Sequence, residues 1–274
     1  MDDNNNKKIH IGIFDSGVGG LSVWKEILRL IPCARFSYVS DGAYCPYGPR
    51  SAEEVIERTR AITRFLLHKG VDIIVVACNT ATAAAIDTLR AEFDISFIGM
   101  EPAVKPAVLN SKSGVVGVLA TKGTFNGKLY NNTLHKYGSG VEVLEQIGDG
   151  LVELVENGEY EGDKANALLH KYIDPMVNEG VDHIVLGCTH YPFLMREIEK
   201  ITGKGVIIVD PAPAVAKHLL DLIPDRCEYV ADPLNVDIFR NTAFYSTASV
   251  KILKKLAHSI LPEIPDNQFS VVEI

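Results

Sequence analysis

Three features are missing from this 274-residue sequence, and each absence excludes a class of protein. No apolar run approaches the roughly 18 residues that cross a bilayer, and the first residues, MDDNNNKK, lack the apolar core of a signal peptide. Lys and Arg never form a run longer than a pair and the net charge is -8, which argues against a nucleic-acid or membrane partner. We therefore expect a cytoplasmic protein with a small-molecule partner.

Cysteine is scarce, and its spacing contains no C-x-x-C pair. The sequence has five cysteines, Cys33, Cys45, Cys78, Cys188 and Cys227. An odd number at wide spacing indicates neither a disulfide framework nor a zinc site, so we expect reduced thiols and no metal. Cys33, Cys45 and Cys227 have no acid, base or repeat partner in the sequence, and we interpret them as structural.

A long internal repeat is what the sequence does contain. The segment KGVDIIVVACNTATAAAIDTLR resembles EGVDHIVLGCTHYPFLMREIEK, and IGIFDSGVGG resembles VGVLATKGTF. Matched positions lie at nearly constant separations: 105 residues for Gly12 and Gly117, 110 for Cys78 and Cys188, and 109 for Glu101 and Asp210. Three matches in the same order indicate a duplication.

The repeated units have the pattern of βαβ segments. Short Val/Ile-rich runs alternate with longer amphipathic segments such as 51–69 and 163–179. Right-handed crossovers then predict two similar doubly wound α/β domains with parallel sheets, related by a pseudo-twofold axis. We expect residues 1–100 together with 211–274 to form one domain and residues 101–210 the other. Asp15, Cys78, Thr121 and Cys188 follow strands, and are predicted to face a cleft between the domains.

Cys78 and Cys188 are the leading candidates for catalysis. Each stands before a predicted helix, where unpaired N–H groups favour the thiolate, and Pro192 supports the second helix start. A single cysteine at such a position is more often a small buried residue with a structural role. The duplication of the cysteine favours a functional role instead. Two thiols that face each other across a cleft can act on one carbon from opposite sides, one as base and one as proton donor, which inverts a stereocentre.

Two turns carry candidate binding groups. DSGVGG lacks the lysine of a phosphate loop and the spacing of a dinucleotide loop. Asp15 and Ser16 instead offer a carboxylate and a hydroxyl, or simply cap a glycine turn. In CPYGPR the backbone N–H groups of Tyr47 and Gly48 can receive an anion, although an ordinary surface turn has the same composition.

Two further residues have an ordinary and a functional interpretation. His190 lies two positions after Cys188 and can tune that thiol or exchange a proton with it, whereas a structural histidine is the alternative. Glu156, by its position alone, would be a solvated helix carboxylate.

The blocks FDSGVGGLSV, YCPYG, ACNTATAAA and LGCTHYPFL resemble the signature blocks of the glutamate racemases, a cofactor-independent family of the aspartate/glutamate racemase superfamily. The resemblance spans positions 14–194. It implies a cytoplasmic homodimeric isomerase that interconverts L- and D-glutamate without a cofactor and supplies D-glutamate for peptidoglycan synthesis. It also implies that Cys78 and Cys188 are the catalytic thiols, assisted by Asp15 on one side and by Glu156 and His190 on the other. The implied substrate-binding residues are Asp15, Ser16, Tyr47, Gly48, Asn79, Thr80, Thr121, Thr189 and His190, with Thr124 as a further candidate.

Other functions remain compatible with the residues. An aspartate or hydantoin racemase would use the same scaffold, and a decarboxylase or isomerase would need one thiol only. A two-lobed amino-acid-binding protein has no need of paired thiols. A hydrolase built from one cysteine and His190 would form an acyl-enzyme and would not need the second cysteine.

Overall fold

The computed structural model describes residues 8–223 and 241–274. Within these ranges the strands are β1 (His10–Asp15), β2 (Arg35–Ser40), β3 (Ile73–Val76), β4 (Ser96–Gly99), β5 (Val115–Ala120), β6 (Glu142–Ile147), β7 (His183–Gly187), β8 (Ile207–Val209), β9 (Thr242–Ser246) and β10 (Phe269–Val271). The α-helices are α1 (Leu21–Leu30), α2 (Ala52–His68), α3 (Asn79–Glu92), α4 (Val104–Asn110), α5 (Lys122–Phe125), α6 (Lys128–Tyr137), α7 (Leu151–Glu156), α8 (Asp163–Asn178), α9 (Met195–Thr202), α10 (Ala212–Leu222) and α11 (Lys251–Ile260).

The strands form two parallel sheets, which confirms the predicted α/β class. The first sheet has the order β10-β9-β2-β1-β3-β4 and the second the order β6-β5-β7-β8. In each sheet the first strand of the repeat lies between the second and the third, as a duplicated βαβ unit requires. The pseudo-twofold axis and the domain boundaries at residues 100 and 210 stay predictions. β9 and β10 extend only the first sheet, on the side of β2.

The register brings the candidate residues to two pairs of adjacent strand ends. Phe14 of β1 pairs with Val76 of β3, so Asp15 and Cys78 leave neighbouring strands. In the second sheet Ala120 of β5 pairs with Gly187 of β7, which places Thr121 beside Cys188. Every residue of β1 and β7 is buried, because helices cover both faces of each central strand.

The helices that flank the sheets begin where the sequence provides a cap. Ser51 caps α2 by accepting a hydrogen bond from the backbone N–H of Glu54, and α2 buries one apolar face that includes Val55, Ile62 and Leu66. The amphipathic segments predicted at 51–69 and 163–179 are α2 and α8. Among the described residues, no helix has both the length and the apolar character needed to cross a bilayer.

Candidate active site

Cys78 lies between β3 and α3, and its sulfur caps the N-terminus of α3. Its Sγ accepts a hydrogen bond from the backbone N–H of Ala81 at 3.4 Å, and the thiol donates to Ser16 Oγ at 3.7 Å. Burial raises the pKa of Cys78 to about 12, the negative charge of Asp15 adds to the rise, and the Ala81 N–H opposes it. The helix start does favour the thiolate, as expected, through the N–H of Ala81, but desolvation outweighs this effect and the net pKa is raised.

Cys188 follows β7 and lies beside an imidazole. Its Sγ is 3.7 Å from Nδ1 of His190, and both side chains are buried. The helix start predicted around Pro192 is a 3-10 turn, Tyr191–Leu194, and the α-helix begins afterwards at Met195. The two thiols therefore have different surroundings, a hydroxyl and an amide at Cys78 and an imidazole at Cys188.

His190, which is buried, and Glu156, which is partly buried, form an ion pair. Nε2 of His190 is 2.7 Å from Oε1 of Glu156, and the same oxygen accepts the backbone N–H of Val18 at 2.7 Å. Burial alone would lower the pKa of His190, but hydrogen bonds with Cys188, Cys45 and Glu156 raise it well above its usual value. Burial likewise acts to raise the pKa of Glu156, yet the bond with His190 brings it below its usual value. The pair is thus an imidazolium and a carboxylate, and Glu156 is not the solvated side chain that its position alone suggests.

Asp15 joins the two halves of the site. It is fully buried, with Oδ1 accepting the backbone N–H of Gly17 at 2.6 Å and Oδ2 accepting the hydroxyl of Thr189 at 2.8 Å. Burial raises its pKa and the positive charge of His190 opposes the rise. Because burial raises its pKa, this carboxyl group is a candidate to hold or release a proton close to the cavity.

The glycines of DSGVGG make room for side chains from the other half of the chain. A Cβ at Gly17 would lie 1.9 Å from Oε1 of Glu156, and a Cβ at Gly19 would lie 2.4 Å from Nδ1 of His190. These glycines allow close approach of backbone to buried side chains, a use of glycine different from cradling a phosphate.

The remaining predicted residues meet at one narrow cavity. Ser16, Tyr47, Gly48, Cys78, Asn79, Thr80, Thr121, Cys188, Thr189 and His190 all line it, together with Pro46 and Val152. Asp15 and Glu156 lie behind this lining and contact it through Thr189 and His190. The cavity has a free volume of about 10 Å³, which is that of about one water molecule. A wider pocket of about 290 Å³ adjoins it and shares Pro46, Gly48, Thr121 and Val152.

Hydrogen bonds across this cavity fix its polar walls. Thr80 Oγ1 and Thr121 Oγ1 lie 2.8 Å apart, and Thr121 Oγ1 is 2.9 Å from Thr124 Oγ1. The hydroxyl of Tyr47 donates to Asp41 at 2.6 Å, which turns this ring away from a role as proton donor in the cavity. Asn79 is 3% exposed, and neither its amide nitrogen nor its amide oxygen has a partner among the described residues.

The sequence did not predict that Cys45 lies beside Glu156 and His190. Its Sγ, a carboxylate oxygen of Glu156 and a ring nitrogen of His190 lie within 4.8 Å of one another, so the interpretation of Cys45 as a structural residue without an acid or base partner is wrong. Burial raises the pKa of Cys45 to about 12, against the effect of His190. Cys45 has no counterpart in the repeat. Its position in the YCPYG block was the only signal in the sequence that pointed to the site.

Cys33 corrects a second expectation, because it is disulfide-bonded. Cys45, Cys78 and Cys188 are free thiols. Cys227 lies outside the described residues.

Two parallel sheets each bring one cysteine, from beyond the end of a central strand, to the same narrow cavity. The Asp/Glu/Hydantoin racemase family model matches residues 25–219. The chain belongs to this family and is therefore a racemase.

Within this family, the chain is similar to several glutamate racemases. The glutamate racemase of Herpetosiphon aurantiacus is 46% identical over 213 residues, which cover 78% of this chain and 84% of that protein. The structure of Escherichia coli glutamate racemase in complex with L-glutamate and the activator UDP-MurNAc-Ala has a TM-score of 0.82 at 28% identity and covers 96% of this chain and 97% of that one. Francisella tularensis glutamate racemase in complex with D-glutamate has a TM-score of 0.77 at 27% identity, covering 97% and 98%.

Proposed function

We propose that this racemase interconverts L- and D-glutamate by a cofactor-independent, two-thiol proton transfer. The observation that carries the proposal is that Cys78 and Cys188, from equivalent strand ends, line the same cavity. The similarity to glutamate racemases, two of them determined with a glutamate enantiomer bound, supports glutamate as the substrate. In a cell, the D-glutamate formed would supply peptidoglycan synthesis in the cytoplasm.

The proposed reaction transfers one proton at each face of the α-carbon. The Cys78 thiolate removes the α-proton of D-glutamate while the Cys188 thiol donates its proton from the opposite side, which gives L-glutamate, a protonated Cys78 and a deprotonated Cys188. The reverse reaction starts from that second protonation state. His190 adjoins Cys188 and can exchange a proton with it, while Ser16 is the polar contact of Cys78.

Substrate recognition is proposed to rely on hydroxyls, amides and backbone groups of the lining. The unpartnered amide of Asn79 is suited to a carboxylate through its N–H₂ and to an ammonium group through its oxygen. Hydrogen bonds to charged groups are worth roughly 1.5–3 kcal/mol each, which is enough to select a dicarboxylate without a cluster of basic residues.

The direct test is circular dichroism of pure L- or D-glutamate incubated with the protein and with no pyridoxal phosphate added. Loss of optical activity to zero from either enantiomer is expected. Aspartate and a substituted hydantoin, incubated in parallel, test the two alternatives on the same scaffold, and comparable racemisation of either would contradict the choice of glutamate. The homodimer implied by the resemblance remains part of the proposal, and sedimentation equilibrium measures it.

A further inference from the structure

A second constellation of reactive groups lies behind the cavity, centred on Cys45. Its thiol, the Glu156 carboxylate and the His190 imidazole come from three separate segments: the loop after β2, the end of α7 and the loop after β7. One donor atom from each lies within 4.8 Å of the other two. The two-thiol reaction uses His190 and Glu156 but gives Cys45 no task.

The spacing of these donors suits a small metal ion. Zinc binds nitrogen, oxygen and sulfur at about 2.0–2.3 Å, so donors on one tetrahedral ion are about 3.3–3.7 Å apart. The 2.7 Å contact between Nε2 of His190 and Oε1 of Glu156 needs to open slightly, and Cys45 needs to approach. Gly17 faces this space without a side chain, since a Cβ there would lie 1.9 Å from the Glu156 oxygen and 2.9 Å from Sγ of Cys45.

Charge balance also permits an ion at this partly buried place. Without an ion, the imidazolium of His190 and the carboxylate of Glu156 cancel, and the Cys45 thiol is neutral. A divalent ion held by the Cys45 thiolate, the Glu156 carboxylate and a neutral His190 likewise sums to zero. Binding releases two protons to solvent, one from the thiol and one from the imidazolium, so no uncompensated buried charge remains.

We propose that Cys45, Glu156 and His190 form an inhibitory binding site for a borderline-soft divalent cation of the zinc class. A thiolate, imidazole and carboxylate set favours zinc or cobalt over magnesium or calcium, which prefer oxygen ligands alone. The ion takes the place of the proton shared by His190 and Glu156. His190 can then no longer exchange a proton with Cys188, and racemisation stops. Only the inhibition rests on the proposed function; the binding itself does not.

Cobalt(II) titration of the full-length protein tests the binding, because a cobalt–thiolate bond absorbs in the near ultraviolet. We expect one cobalt per chain with a thiolate band in the wild type and in Cys78→Ser, and no thiolate band in Cys45→Ser or Cys45→Ala. Glu156→Gln should weaken the cobalt affinity at least about tenfold. A band that survives in both Cys45 variants, or that disappears in Cys78→Ser, would overturn the proposal. Far-ultraviolet circular dichroism checks that each variant is folded.

Zinc inhibition tests the consequence, with each protein compared with its own metal-free rate. The zinc concentration for half inhibition should rise at least tenfold in Cys45→Ser, EDTA should restore the rate, and magnesium at the same concentration should have no effect. Equal zinc sensitivity of the wild type and Cys45→Ser would locate inhibition at the catalytic thiols and contradict the proposal. A protein that binds cobalt through Cys45 but racemises no glutamate would instead contradict the proposed function and leave the metal site standing.

Discussion

At the scale of single residues, desolvation decides the direction of the pKa shifts of Cys78 and Asp15. Cys78 is a neutral thiol at neutral pH, because burial and Asp15 raise its pKa to about 12. The α-ammonium group of an amino acid that enters the cavity would bring a positive charge close to that sulfur and favour its thiolate. The substrate would thus help to form the base that acts on it.

The two cysteines can be told apart by isotope exchange. Serine is a much weaker acid and a poor base at neutral pH, so either Cys→Ser change should abolish net racemisation. In D₂O, Cys188→Ser retains Cys78 and should exchange the α-hydrogen of D-glutamate slowly, whereas Cys78→Ser should exchange only that of L-glutamate. Proton NMR of the α-hydrogen measures both. A single mutant that still racemises, or that exchanges both enantiomers equally, would rule out one thiol per face.

The protonation of His190 depends on its carboxylate partner. Because hydrogen bonds with its neighbours raise the pKa of His190 well above its usual value, it should stay protonated at pH 7.5 in the wild type, and Glu156→Gln should lower this pKa. Nitrogen NMR of the imidazole follows the titration. Glu153→Gln, at an exposed position of the same helix, is the matched control and should leave the His190 titration unchanged.

The same shift makes the folding stability depend on pH in a defined direction. A raised histidine pKa stabilises the fold fully below the unfolded value of about 6.5 and loses that contribution as pH rises through the folded pKa. The lowered pKa of Glu156 contributes above the unfolded value of about 4.3 and is lost as pH falls. The difference in unfolding free energy between wild type and Glu156→Gln should therefore shrink toward both acid and alkaline pH.

Asn79 should contribute to substrate affinity. Its buried amide has no partner among the described residues, so a substrate carboxylate or ammonium group would satisfy it. Asn79→Ala should raise the KM for glutamate about 10–100-fold through loss of about 1.5–3 kcal/mol of charged hydrogen bonding. Asn110→Ala, at an exposed position of α4, is the control. An unchanged KM in Asn79→Ala would remove this residue from the binding site.

At the scale of elements, the loop between β1 and α1 positions the second half of the site. Gly19→Ala should reduce kcat/KM at least about 100-fold, because the new Cβ would lie 2.4 Å from Nδ1 of His190 and displace the imidazole from Cys188. The stability loss from overpacking should be about 1–3 kcal/mol. Gly205→Ala, where a Cβ meets nothing within 4 Å, is the control and should be near wild type in both rate and denaturant midpoint.

The elements also show what could be predicted from the sequence and why. Strand ends were predictable because the repeat marks them twice, so Cys78, Cys188 and Thr121 were expected together. Cys45 was not, because it occurs in only one half and meets Glu156 and His190 only after the chain folds. The raised pKa of Cys78 was missed for a related reason: a helix start is visible in a sequence, but the burial that outweighs it is a tertiary property.

At the scale of the whole molecule, the cavity is too narrow for the proposed substrate. A free volume of about 10 Å³ accommodates a water molecule but not an amino acid. Substrate entry therefore requires movement of the lining, and the Thr80–Thr121 hydrogen bond joins the segments that must separate. The adjoining pocket shares four lining residues with the cavity and offers the route.

Because glutamate would contact both sheets, its binding should stabilise the whole molecule against unfolding. Glutamate at 100 times its Kd should add about 2.7 kcal/mol, and differential scanning fluorimetry should record a Tm rise of several degrees with either enantiomer. Aspartate at the same concentration should give a much smaller rise, since one methylene fewer cannot reach both groups of contacts. Equal shifts for the two amino acids would contradict selection for glutamate.

The unequal surroundings of the two thiols carry a kinetic consequence. Enantiomers have the same free energy in water, so their equilibrium constant is one, and kcat/KM must be identical for the two directions whatever the protein does. The imidazolium beside Cys188 and the hydroxyl beside Cys78 cannot favour one product. The different surroundings of the two thiols can change kcat and KM only together. The direction with the higher kcat must have the higher KM by the same factor. An asymmetric site therefore sets the enantiomer concentration at which each direction saturates, while the racemic end point stays fixed.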